Sequence, residues 1–252
     1  MDKKDELLEI FVKRPHRFRL LEKGLKLAGI DKGNPVRARL MEAGCAYGDA
    51  SAHVARTCAR LVTGIDRCAD YIGNAERIHR DLIDEGILEF QIQDIESLSF
   101  ENNFFSGIFL EAAFSPLRNK ESAVSELYRI LKPGSRVLLN DFAVKRHNQG
   151  GIAVNASCIP CFKGVGSMED YRGLFEEQGF REIHSAEEYG EFIALALWVG
   201  KSFNIRLDEV GAYLSKYQNA GAHAPVNCSE AGNADNISGA QLTYCQMIFE
   251  KR

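Results

Sequence analysis

Seven residues could cradle a small ligand: Glu42-Ala43-Gly44-Cys45-Ala46-Tyr47-Gly48 lie between an apolar segment ending at Glu42 and a helical stretch over Ala50 to Ala59. Glycine suits a place where the backbone must turn tightly and approach a ligand closely. Asp66 closes the next apolar run, Leu61 to Asp66, and Asp94 follows the run from Leu88 to Gln93. Alone, each aspartate reads as a helix cap or turn residue. Together, at the ends of three consecutive strands, they outline a nucleoside site. Asp66 could accept hydrogen bonds from both ribose hydroxyls. Asp94 and the backbone of Ile95 could meet an adenine amino group. If the Asp66 carboxylate faces the cleft, removing it costs ligand affinity and leaves stability nearly unchanged. A nicotinamide dinucleotide is the competing ligand. Its fingerprint needs G-x-G-x-x-G, and from Gly44 the pattern meets Ala46 and Asp49 instead.

The elements that must position these residues alternate. Strands are expected over 39–42, 61–66, 88–93, 104–110, 136–142 and 181–185. Helices are expected over 50–59, 70–83, 121–131 and 168–178. Lys132-Pro133-Gly134 stops the third helix. The rhythm predicts a mainly parallel sheet with helices on both faces, and a ligand outside the carboxyl ends of the strands. Residues 1–35 read as an N-terminal helical segment, with amphipathic spacing interrupted at Pro15. Residues 36–188 and 240–252 form the main domain, and 189–239 a helical insertion before the last strand. That insertion, helical to about Tyr217, is a candidate lid over the acceptor side. The strand over 242–250 pairs antiparallel with strand six and completes a seven-stranded sheet.

Composition narrows the class. With 252 residues, 45% apolar and 26% charged, the chain can bury a substantial core. A net charge of −4 without a basic block argues against a nucleic-acid partner. The charged start, Met1 to Glu6, lacks the apolar core of a signal peptide. The longest apolar run, Phe192 to Val199, is too short to cross a bilayer. These features place the chain in the cytoplasm, away from membranes. Seven scattered cysteines do not form a disulfide framework. Cys158 and Cys161 have C-x-x-C spacing, but no second pair completes a zinc site, so no metal is expected.

The run Glu42 to Gly48 resembles motif I of class I S-adenosylmethionine-dependent methyltransferases, D/E-x-G-x-G-x-G. Asp94 to Ile108 resembles that superfamily's D-x-x-x-L-P-F-x-D-x-x-F-D-x-I. Glu126-Leu127-Tyr128-Arg129-Ile130-Leu131-Lys132-Pro133-Gly134 resembles its E-x-x-R-V-L-K-P-G. The matches cover roughly 37–143 and are closest in kind to the branch of quinone-biosynthesis methyltransferases. The resemblance implies a Rossmann-like fold, S-adenosylmethionine as methyl donor, and S-adenosylhomocysteine as product. It implies a donor site made by Glu42, Gly44, Cys45, Ala46, Gly48, Asp66, Arg67, Asp94 and Ile95. Gly44 and Gly48 would pass close to the donor's amino-acid part, and Glu42 would shape the loop. The departure is Ala46, where the motif has its middle glycine.

The implied reaction is in-line methyl transfer to a small-molecule acceptor. Such a site needs alignment and water exclusion more than a dedicated base. Acceptor-side candidates are Glu111, Phe114, Asp141, His147 and Cys161, each with an ordinary structural role as the alternative. The run Cys161 to Tyr171 resembles the C-x-x-G-A-x-x-x-E-D-[FY] segment of arsenite methyltransferases, in which the cysteine is a metalloid ligand. Two alternatives therefore stand beside the organic acceptor: arsenite methylation through Cys161, and donor binding without turnover.

Overall fold

The computed structural model describes residues 10, 13–30, 38–58, 61–145, 164–206 and 241–252. Seven strands form one sheet: β1 (Leu40–Ala43), β2 (Val62–Asp66), β3 (Leu88–Ile92), β4 (Phe105–Glu111), β5 (Leu131–Lys145), β6 (Phe180–Glu187) and β7 (Gln241–Lys251). Their order is β3-β2-β1-β4-β5-β7-β6. The first five run parallel, and β7 is antiparallel to both of its neighbours. The last strand pairs with β6 as the sequence indicates, and it also inserts beside β5.

Helices α1 (Arg19–Leu27), α2 (Asp49–Cys58), α3 (Ala69–Ile78), α4 (Arg80–Asp84), α5 (Lys120–Ile130), α6 (Met168–Glu177) and α7 (Tyr189–Phe203) complete the described residues. Both faces of the sheet are buried, as a parallel sheet requires. Successive side chains of a strand point to opposite faces. Ile108 and Leu110 join a core with Leu127, Phe175 and Phe249. Phe109 between them joins another with Leu21, Val54, Leu138 and Ile248. Helix α1 presents Leu20, Leu21, Gly24 and Leu25 inward. Gly24 is required there, because a Cβ would lie 2.6 Å from a Leu138 methyl and 2.7 Å from the Gln246 amide.

Several boundaries differ from the sequence expectation. The helix expected over 70–83 breaks at His79, whose φ of −110° and ψ of 31° leave the helical region. Lys132-Pro133-Gly134 does end α5 at Ile130, but the chain enters β5 at once, and the register shifts between Phe105 and Gly107. Helix α7 ends at Phe203, where Asn204 adopts the left-handed conformation at φ 53°, and the rest of the stretch expected to be helical to about Tyr217 lies, beyond Arg206, outside the described residues. Asparagine tolerates that conformation better than most residues, and it caps helices there. Among the described residues no helix is long and apolar enough to cross a membrane.

The strand order reverses at β1, which has β2 on one side and β4 on the other. Such a switch point opens a crevice at the carboxyl ends of the strands. That is where the loop after β1 lies.

Candidate active site

A cavity of about 490 Å³ lies at this crevice. Its wall is built by the loop Ala43–Tyr47 after β1, by Asp66 and Arg67 after β2, by Gln93 to Glu96 after β3, and by Glu111 to Ala113 after β4. The loop is folded by its own amides. Gly44 and Cys45 both donate to the Ile65 carbonyl, at 2.8 and 2.9 Å, and Gly48 donates to the Cys45 carbonyl at 2.8 Å. Gly44 and Gly48 have φ of 78° and 75°, where side chains are strained. Their need for glycine is also steric. A Cβ on Gly44 would lie 2.5 Å from the Ala113 Cβ, and one on Gly48 would lie 2.2 Å from Phe90 Cζ. Gly48 is therefore fixed by packing beneath the loop, and it is absent from the cavity wall. Ala46 carries the same demand without a glycine's freedom, at φ 47°.

Asp66 holds that strained residue. Its Oδ2 accepts from the Ala46 amide at 3.1 Å, and its Oδ1 accepts from the Cys68 amide at 2.9 Å, just before α3. The carboxylate thus ties the β1 loop to the start of α3, besides facing the cavity. This corrects the expectation that Asp66 matters to ligand alone. Arg67 is exposed on the wall, beside Tyr71, which meets Tyr47 edge-on at 5.2 Å. Asp94 is exposed, and its Oδ1 accepts from the Glu96 amide at 3.0 Å, an ordinary turn contact. Ile95 is buried behind it and also lines the cavity. Cys45 lines the cavity too, and burial pushes its thiol up, so it is held as a neutral, poorly nucleophilic group.

The far end of the cavity holds two carboxyls, Glu42 buried and Glu111 half-buried. Glu42 is 2% exposed and accepts from the Ser51 hydroxyl at 2.5 Å. Glu111 accepts from the Asn140 side-chain amide at 2.5 Å. Burial pushes each carboxyl up to about 8. Asn140 is itself fixed, since its Oδ1 accepts from Gln246 Nε2 at 2.9 Å and its carbonyl accepts from the Ala112 amide at 2.8 Å.

Asp141 is not on this wall. It is fully buried, and its carboxylate accepts from the amides of Phe114 (2.6 Å), Ser115 (3.1 Å) and Phe142 (2.6 Å). Phe114 is likewise in the core, edge-on to Tyr171 at 5.2 Å. Both acceptor-side assignments are therefore corrected. The reason is the pleat. Glu111 pairs in register with Asn140, so these two share a face, and Asp141 points to the opposite one. His147, Cys158 and Cys161 lie outside the described residues. Among the described residues no group of three histidine, cysteine or acidic side chains could hold a metal ion.

The segment beginning at Tyr189, expected as a lid, does reach the cavity, but sequence reasoning missed the N-terminal and β7 parts of its cover. Arg14, Arg17 and Phe18 reach it from the segment before α1, Glu191 and Leu195 from α7, and Tyr244 from β7. Arg17 lies 3.6 Å from Asp49, and burial lowers its pKa against the pull of Asp49, Glu42 and Glu111. Glu191 pairs with Arg14 at 3.3 Å and with Arg19 at 2.5 Å. Trp198 Nε1 donates to the Ile10 carbonyl at 2.7 Å. The N-terminal segment is thereby latched to α7. The signal available in the sequence was the basic run Arg14-Pro15-His16-Arg17-Phe18-Arg19.

Comparison with known proteins agrees with this geometry. Residues 41–139 match a family model described as a methyltransferase domain. Both this segment and the fold are similar to those of class I S-adenosylmethionine-dependent methyltransferases. Among such proteins the chain is 25% identical over 198 residues to the ubiquinone/menaquinone biosynthesis C-methyltransferase UbiE of Stutzerimonas stutzeri (strain A1501), covering 68% of this chain and 74% of that protein. It is 24% identical over 146 residues to the O-methyltransferase resE of Aspergillus sclerotiorum, covering 57% of this chain and 55% of that protein. The chain thus spans little more than half of the latter. Its fold matches that of the geranyl diphosphate C-methyltransferase from Streptomyces coelicolor A3(2), solved with Mg2+, geranyl diphosphate and S-adenosyl-L-homocysteine. The TM-score is 0.69 at 13% identity, covering 94% of this chain and 80% of that one.

Proposed function

We propose that this protein transfers a methyl group from S-adenosylmethionine to a small-molecule acceptor. The observation that carries the reading is the cavity at the β1 switch point, with Asp66 and Asp94 on one part of its wall and the carboxyls of Glu42 and Glu111 on another. The residues present fit the donor's chemistry. Asp66 has lone pairs left for ribose hydroxyls, and Asp94 with the Ile95 backbone suits an adenine edge. Arg17 suits a carboxylate, and Glu42 and Glu111 suit a cation. The donor's sulfonium supplies an already activated methyl group. The protein's part is to orient and to exclude water. The loop Ala43–Tyr47 orients the ligand from below. The N-terminal segment and α7 cover it, through Arg14–Glu191 and Trp198–Ile10. The acceptor lies on the side of Glu111, Phe142, Leu195 and Tyr244, where the wall is mostly apolar. The net charge of −4 favours a small acceptor over nucleic acid, and a cytoplasmic setting fits the same reading.

Titration calorimetry with S-adenosylmethionine, S-adenosylhomocysteine and NAD tests this. Binding of the first two and none of NAD is expected. Comparable affinity for NAD overturns the assignment.

A further inference from the structure

Glu111 differs from the other acids of the cavity in how it is held. Asp66 spends its oxygens on two backbone amides, and Asp94 is a turn residue. Glu42 also lines the cavity, but it is 2% exposed and held by the Ser51 hydroxyl. Glu111 receives one hydrogen bond, from Asn140 to Oε1, and it stands on the cavity wall at the end of β4. Its position is rigid, because Asn140 is tied to Gln246 and Gln246 to the Leu20 carbonyl at 2.9 Å. A positioned carboxyl on a cavity wall can exchange a proton with a ligand.

Resting on the methyl-transfer reading above, we propose that Glu111 is the proton-exchanging group of this cavity. Its carboxyl loses a proton to solvent when the donor's sulfonium binds. It regains one from a protic acceptor, an O–H or N–H acid, when that acceptor is methylated. The balance closes. The acceptor's O–H or N–H bond breaks as its new bond to the methyl carbon forms, and the carbon–sulfur bond electrons return to sulfur. The proton passes to the carboxylate. The product sulfur is neutral, and so is the carboxyl that faces it.

The surroundings support this cycle. The charged and titratable groups that act on Glu111 are Glu42 from β1, Asp141 from β5, Arg17 from the N-terminal segment and Tyr244 from β7. Burial is the largest influence, and the neighbouring acids add to it, while Arg17 and the Asn140 amide oppose them. The carboxyl is therefore neutral in the empty cavity near pH 7. A fixed positive charge brought against it favours ionisation.

The test compares two ligands that differ by the charge at sulfur. S-Adenosylmethionine and S-adenosylhomocysteine are titrated into the wild-type protein and Glu111→Gln at pH 6, 7, 8 and 9. In the wild type the ratio of the two affinities should rise with pH by about tenfold for each unit by which the sulfonium lowers the carboxyl's pKa. In Glu111→Gln this rise should vanish. The ligands' own amino group titrates alike in both proteins, so the difference between the proteins is the readout. A second measurement on the wild type alone counts protons, by calorimetry in buffers of different ionisation enthalpy. Net proton release with the sulfonium, beyond that with the thioether, is expected at pH 7. A ratio that does not change with pH, or one that changes equally in Glu111→Gln, overturns the proposal. Failure of both ligands to bind the wild type refutes the methyl-transfer reading itself.

Discussion

Replacing Asp66 by alanine should cost stability as well as donor affinity. The carboxylate accepts two backbone amides, Ala46 at 3.1 Å and Cys68 at 2.9 Å. Hydrogen bonds to a charged group contribute roughly 1.5–3 kcal/mol each when well shielded. Asp66 is half-buried, so the low end applies. A carboxylate at the start of α3 adds about 0.3–1 kcal/mol through the helix dipole. Ala46 then loses the partner that offsets its left-handed backbone. Together these give a loss of about 3–4 kcal/mol for Asp66→Ala. At about 2–4 °C per kcal/mol for a chain of this size, the melting temperature should fall by about 6–16 °C. Asp66→Asn keeps one acceptor oxygen and should lose about half as much. Thermal unfolding without ligand reads the first effect, and calorimetry with S-adenosylhomocysteine at 10 °C, well below the transition, reads the second. Weaker binding with an unchanged melting temperature would refute the reasoning, since the loop would then not depend on Asp66.

Three further outcomes follow from the same geometry. Ala46→Gly relieves a left-handed alanine at φ 47° and should raise stability by up to ~1 kcal/mol, less the unfolded-state entropy of glycine, visible as a shift in urea midpoint. Asp141→Ala leaves the buried amides of Phe114, Ser115 and Phe142 without their acceptor; at roughly 1–3 kcal/mol each, unfolding should be easier by about 3 kcal/mol or more, and a melting temperature within a degree or two of wild type would contradict this. Glu42 and Glu111 have folded-state values of about 8 against an ordinary 4.5, so between those values the folded protein binds more protons than the unfolded chain, and stability falls as pH rises through that window. Urea midpoints at pH 5.5 and 8.5 should show the decline, with a smaller one in Glu111→Gln.

What could be read from the sequence was local. The aspartates at the ends of β2 and β3 follow strands whose apolar runs are short and clearly bounded, so their place on one rim was legible. The order of elements was legible for the same reason. The cover was legible only in the segment from Tyr189; that Arg14 and Arg17 meet Glu191 and Tyr244 was not, because they are brought together across more than 200 residues of chain by packing of α1 and α7 around β7. Asp141 was misread because a carboxylate at a strand end looks the same in sequence whichever face it takes. A single step along β5 separates Asn140, which serves the cavity, from Asp141, which serves the loop after β4. Only the pairing of β4 with β5 decides between them.

The motifs themselves divide along the same line. Glu126 and Arg129 match the superfamily pattern most visibly, yet neither touches the cavity. Glu126 accepts from the Leu98 amide at 2.8 Å, while Arg129 donates to the carbonyls of Leu98 (2.9 Å) and Phe100 (2.6 Å), so the pair clamps the loop between β3 and β4. That clamp holds the segment just after Asp94 and Ile95. Such motif residues preserve the shape of the donor rim and carry no information about the acceptor. On the proposed reading the acceptor lies against Glu111, Phe142, Leu195 and Tyr244 under Phe18, and of these only Glu111 falls within the matched domain at 41–139. On that reading, specificity for the acceptor is to be sought in the N-terminal segment, in α7 and in β7, with Glu111 between that wall and the rim proposed for the donor.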